Sequence, residues 1–177
     1  MLFVRRLAPE KGLANLISAW EQRDLRLPLK IVGDGPLATS VAAAAARHAA
    51  IEWLGPKPRA EVDEWIADAS FVVLPSEWYE TFGLVAIEAF SRGTPVIAAR
   101  IAAIAELVED GATGLLFEPG RPDHLAAAVD WATAHPRELA AMGDRARAVY
   151  EAKYTADSNY LRTLDLYQRV IANARRN

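Results

Sequence analysis

Cysteine is absent from the chain, which excludes disulfides and thiolate metal sites and fits a reducing compartment. Histidine is scarce: His48, His124 and His135 are scattered in segments that read as helices or helix ends, and each reads as a surface or capping residue. No apolar run approaches the roughly 20 residues of a membrane span, and Met1-Leu2-Phe3-Val4 is too short for a signal-peptide core, so a soluble protein is expected. Nor is there an excess of positive charge. A net charge of -3 and a pI near 5.7 argue against nucleic acid as a partner. Several catalytic signatures are missing too: Asp-x-Asp, Gly-x-Ser-x-Gly, a Walker lysine followed by Ser or Thr, and His-Glu-x-x-His.

What the chain does have is alternation. Short aliphatic, β-branched and aromatic runs, at Leu2 to Arg5, Leu29 to Val32, Ile51 to Leu54, Phe71 to Leu74, Pro95 to Ala98 and Gly114 to Phe117, are separated mostly by segments of helical length. This pattern predicts an α/β domain with a parallel sheet of about six strands and helices on both faces. At 177 residues and 52% hydrophobic positions, the chain can bury a core of its own. After Pro122 the pattern is helical. Pro136 and Tyr154-Thr155 divide it into three segments, the last with an apolar stripe at Tyr160, Leu164, Tyr167 and Ile171.

The densest information lies between Pro75 and Phe90. Pro75 ends a buried strand, Leu84 to Phe90 resumes with apolar residues on nearly every face, and Glu88 is the exception. Burying an unpaired carboxylate costs on the order of several kcal/mol, so Glu88 needs a partner. Two are open. Arg92 stands at i,i+4 in the favourable order, a pair worth about 0.2–0.5 kcal/mol at a surface. Alternatively, Glu88 faces a cleft at the carboxyl ends of the strands and accepts hydrogen bonds from the hydroxyls of a ribose. Glu80, Thr81 and Gly83 fall at the helix start, where unsatisfied N–H groups and the positive end of the helix dipole suit a phosphate. Gly83 reads either as the point of closest ligand approach or as an ordinary turn before a helix.

Glu80 and Glu88, with Phe82-Gly83-Leu84 between them and Gly93-Thr94-Pro95-Val96-Ile97-Ala98 following, resemble the E-x7-E motif of family 4 retaining glycosyltransferases of the GT-B fold. Val4-Arg5-Arg6-Leu7-Ala8-Pro9-Glu10-Lys11-Gly12 is similar to the family's strand-then-loop motif, whose arginine and lysine hold the donor diphosphate and match Arg6 and Lys11. Where Arg5 stands, the family usually carries glycine or another small residue. Gly33-Asp34-Gly35-Pro36 and Leu54-Gly55-Pro56 complete the order of landmarks, so the resemblance covers essentially the whole chain.

The resemblance implies a Rossmann-like, three-layer donor-binding domain over residues 1–154 and a terminal helix over 155–177 that in the family braces an N-terminal acceptor-binding domain. It implies a nucleotide-diphospho-sugar donor such as a UDP-, GDP- or ADP-hexose, with no cofactor and no metal. Glu80 would lie against the hydroxyls of the transferred sugar and Glu88 against the ribose. Thr81, Phe82, Gly83 and Leu84 would contact the donor, Gly33 would border the nucleotide, and Lys57 would touch the base through its main chain. Arg6 and Lys11 would stabilise the charge that develops on the departing diphosphate. In the family that phosphate accepts the acceptor's proton on the same face, which retains the anomeric configuration. Trp78 and Tyr79 either line the sugar site or cover the loop. Two carboxylates also suit hydrolysis, but their placement around a helix start, with phosphate-holding cations elsewhere, favours transfer. The alternative is a stand-alone module that binds a nucleotide or nucleotide sugar without catalysis. Further expectations are a cytoplasmic protein, at most peripheral to the inner face of a membrane, inactive without its acceptor half, with the terminal apolar stripe available to that half or to a second copy.

Overall fold

Each of the six apolar runs is a strand in the computed structural model, which describes residues 1–23, 25, 27–79 and 82–174. They are β1 (Leu2–Val4), β2 (Leu29–Val32), β3 (Ile51–Gly55), β4 (Val72–Leu74), β5 (Val96–Ala99) and β6 (Gly114–Phe117). All pair in parallel, in the order β3-β2-β1-β4-β5-β6. Between and after them run α1 (Leu13–Arg23), α2 (Ala38–Arg47), α3 (Arg59–Asp68), α4 (Leu84–Ser91), α5 (Ala102–Leu107), α6 (Pro122–Ala134), α7 (Pro136–Lys153) and α8 (Ala156–Ala174). This is the Rossmann-like three-layer arrangement that the alternation predicts. Pro122 and Pro136 open α6 and α7, where the missing proline N–H would have had no intrahelical partner in any case.

Because side chains alternate across a strand, each strand feeds two cores. Phe3, Val73, Ile97 and Ala99 enter one, with Leu16 and Trp20 of α1, Val41 of α2 and Leu125 and Val129 of α6. Leu2, Val4, Val72, Leu74, Val96 and Ala98 enter the other, with Ile66 of α3, Ala86 and Phe90 of α4, Ile104 of α5 and Ala146 of α7. Thr94 is buried in this second layer, where its hydroxyl donates to the Ile66 carbonyl at 2.8 Å, tying the turn before β5 to α3. Replacing it with valine keeps the shape and removes the donor, so a loss of about 1–2 kcal/mol in urea unfolding, with an unchanged slope, is expected.

The terminal stripe covers nothing among the described residues. No side chain of α8 is buried, and Tyr160, Leu164, Tyr167 and Ile171 are exposed. Among the described residues no helix is long and apolar enough to cross a membrane.

Candidate functional site

The strand order turns back between β1 and β4, one half of the sheet growing outward through β2 and β3 and the other through β5 and β6. At such a switch point the loops leaving the carboxyl ends of the two central strands diverge and leave a crevice. Here the loop after β1, from Arg5 to Gly12, and the loop after β4, from Pro75 onward, are tied at their base. The Glu77 N–H donates to the Glu10 carbonyl at 3.1 Å, the Asn15 amide to the Glu77 carboxylate at 2.6 Å, and the Arg5 guanidinium to the Ser76 hydroxyl at 2.7 Å. Gly12 makes the approach sterically feasible. Its φ is 71°, and a Cβ there would stand 1.6 Å from the Pro75 carbonyl oxygen.

Above this junction lies a cavity of about 330 Å³. Arg5 and Lys11 line it from the β1 side; Tyr79, Phe82 and the start of α4 from Gly83 to Val85 line it from the other. Two cations therefore face the N-terminal end of α4, whose free N–H groups carry partial positive charge, and the combined field suits a multiply charged anion. A second cavity of about 300 Å³ shares Phe82 and Leu84 with the first and continues to Tyr154, Asn159 and Arg162. At the opposite edge, where the strands begin, a smaller hollow of about 100 Å³ is bordered by Pro28, Lys30 and Trp65, with the Lys30 ammonium lying over the indole at 4.1 Å.

Seven of the residues singled out from sequence fall into three groups, while Glu88, Gly33 and Lys57 do not line this cavity. Lys11, Phe82, Gly83 and Leu84 line the cavity together. Glu80 and Thr81 lie outside the described residues. Arg6 is exposed and does not line the cavity; Arg5 does. Sequence reasoning selected Arg6 because it aligns with the motif's arginine, yet the signal for Arg5 was also present, as an arginine standing where the motif has a small residue.

Gly83 borders the cavity through its main chain, but its missing side chain is explained by other neighbours. Its φ is 73°, and a Cβ would point at Leu107 of α5, 3.0 Å away, rather than into the cavity. Gly33 has a similar structural reason: a Cβ there would stand 1.9 Å from the Arg5 carbonyl oxygen, and its own carbonyl accepts from the Trp53 indole at 3.1 Å. It thereby sets the height of the Arg5 backbone. The Lys57 side chain, in the loop before α3, is engaged by Glu61 in the first turn of that helix at 3.4 Å, which leaves its main chain as the part able to meet a ligand.

Glu88 is four-fifths covered and has a partner other than the one its helix offers. Arg59, the first residue of α3, donates from Nη1 to Glu88 Oε1 at 2.5 Å. Arg59 Nε pairs in turn with Asp63 Oδ1 at 3.1 Å, and Asp63 Oδ2 takes Arg92 at 3.0 Å. The i,i+4 reading of Glu88 with Arg92 is thus corrected: Asp63 draws Arg92 across to α3. Hydrogen bonding to Glu88 pushes the Arg59 guanidinium above its ordinary range. The histidines sit as expected, His48 and His135 at helix ends and His124 at the surface beside Asp123.

A doubly wound sheet whose switch point opens between two cations and a helix start is a Rossmann-like domain with a crevice suited to an anionic group. The chain belongs to the family described as glycosyl transferases group 1, whose family model matches residues 1–149. Among curated relatives, it is 33% identical to D-inositol 3-phosphate glycosyltransferase 2 of Catenulispora acidiphila, an alignment that covers 99% of this chain and 44% of that protein. Among solved structures, HepE (Alr3699) of Anabaena in complex with UDP superimposes with a TM-score of 0.84 at 27% identity, covering 94% of this chain and 48% of that one. The same Anabaena protein in complex with UDP-glucose gives a TM-score of 0.83 at 26% identity over the same share of each chain. The chain therefore spans less than half the length of these relatives.

Proposed function

We propose that this domain binds the nucleotide-diphospho-sugar donor of a retaining hexosyltransferase and that an acceptor-binding half, from a longer chain or a partner, completes the enzyme. The observation that carries the reading is the crevice between β1 and β4, where Arg5 and Lys11 face the N-terminal end of α4. The Anabaena protein, which shares this fold, binds UDP and UDP-glucose. In this reading the diphosphate bridges the two cations and the α4 N–H groups, and the nucleoside runs past Glu88 toward the loop Gly55-Pro56-Lys57.

The chemistry follows from where charge moves. As the bond from the anomeric carbon to the diphosphate oxygen breaks, negative charge grows on the leaving group. Positive groups already fixed around it stabilise that state more than the bound donor. An arginine supplies planar, paired contacts and a lysine a point charge. Glu80 is assigned to the hydroxyls of the sugar, which it would orient for attack by the acceptor.

Calorimetric titration with UDP, GDP, ADP and their hexose conjugates tests the reading. Binding of one nucleotide with a Kd below about 1 mM is expected, weakened at least about tenfold by Glu88→Ala, since hydrogen bonds to a charged carboxylate contribute about 1.5–3 kcal/mol. Absence of binding by every nucleotide at millimolar concentration would remove the donor-site assignment.

A further inference from the structure

From its contact with Glu88 we infer that Arg59 is a positioning residue for the donor nucleotide: it holds one oxygen of the Glu88 carboxylate so that the other meets the vicinal hydroxyls of the ribose. The inference rests on the donor-site reading, and it assigns a role to a residue outside the motifs that suggest that reading.

Three features carry it. First, the contact is short and asymmetric. Arg59 Nη1 reaches Oε1 of Glu88 at 2.5 Å, leaving the second carboxylate oxygen for another donor. Second, Arg59 is itself anchored. Its Nε pairs with Asp63 Oδ1 at 3.1 Å while the other oxygen of Asp63 binds Arg92 at 3.0 Å, so four alternating charges run in a chain from Arg92 to Glu88 and bind α3 to α4. Third, the location is right. In a parallel α/β sheet each helix begins where its strand ends, so Arg59 at the start of α3 and Glu88 one turn into α4 both lie toward the carboxyl edge, where the ligand crevice opens. The turn Gly55-Pro56-Lys57, which leaves the end of β3 just before Arg59, is the segment assigned to the base.

A carboxylate that must accept from two neighbouring hydroxyls gains most when its plane is fixed before the ligand arrives, because the ordering is then not charged against binding. Glu88 is only 21% exposed while Arg59 is 62% exposed. The glutamate is thus held among apolar neighbours of α4, and the arginine reaches it from the solvent side. A pair so exposed on one member adds little to stability, so its effect should appear in binding rather than in folding.

The test is titration of the domain with UDP, GDP and ADP and with their 2′,3′-dideoxy counterparts, in the wild type, Arg59→Ala, Glu88→Ala and the double variant, with thermal melts alongside. Arg59→Ala is expected to weaken the preferred ribonucleotide about tenfold, within the range found for coupled residues of one charge network, and to leave the dideoxy compound unchanged. In the Glu88→Ala background it should have no further effect. Equal losses for both compounds would reduce Arg59 to a structural role, and tighter ribonucleotide binding would make it a competitor for Glu88; either result overturns the inference while leaving the donor site standing. A wild type that binds none of the nucleotides overturns the donor reading and this assignment with it.

Discussion

Replacing Gly12 with alanine is expected to cost about 3 kcal/mol or more and to abolish nucleotide binding in whatever fraction still folds. Two terms add. The residue sits at φ 71°, in the left-handed region, where a side chain costs about 1–2 kcal/mol. The new methyl group would also lie 1.6 Å from the Pro75 carbonyl oxygen and 2.5 Å from its carbon, both backbone atoms that cannot swing aside, and forced overpacking costs about 1–3 kcal/mol more. For a domain of this size the sum corresponds to a fall in Tm of about 6–12 °C. Gly120 supplies the control. It has the same backbone conformation, φ 70°, with nothing within 4 Å of its missing Cβ, so Gly120→Ala should show only the conformational term. If the two variants melt together, the close approach of the β1 and β4 loops is not what Gly12 is for. If Gly12→Ala is the less stable but binds as the wild type does, the junction supports the fold without shaping the crevice.

Much of this architecture was legible in the sequence, because parallel strands buried on both faces read as short unbroken apolar runs. The bounds of β2 and β6 match the sequence reading, and the other strands shift by one residue at one or both ends, where ladder pairing, invisible in a single run, decides the limit. Glu88 was legible as a residue needing a partner, but its partner was not. Arg59 lies 29 residues away on another helix, and local spacing offered Arg92 instead. The two arginines after β1 show a finer limit. Adjacent residues leaving a strand point to opposite sides, so alignment by one position decides which faces the ligand. The motif favours Arg6; the position of the cavity favours Arg5. The apolar stripe of α8 was read correctly from its period, yet period alone cannot supply the surface that covers it.

That ambiguity sets up the second large effect. In the donor reading, Arg5→Ala and Lys11→Ala should each weaken a nucleoside diphosphate about 10- to 100-fold, because each removes a charge-assisted contact worth about 1.5–3 kcal/mol from a partly enclosed site. Arg6→Ala should change it by no more than about twofold, the effect of a solvent-screened charge at the rim. The matching nucleoside monophosphate separates phosphate recognition from general damage: Arg5 and Lys11 variants should lose most of the margin by which the diphosphate binds more tightly. Arg5 also donates to Ser76 on the β4 loop, so part of its loss could arise through loop geometry. Ser76→Ala removes that contact while leaving the guanidinium, and it should keep most of the diphosphate margin if Arg5 acts on phosphate directly. Should Arg6→Ala prove the costlier change, the motif alignment has chosen the correct arginine and the side chain of Arg5 serves to brace the two loops.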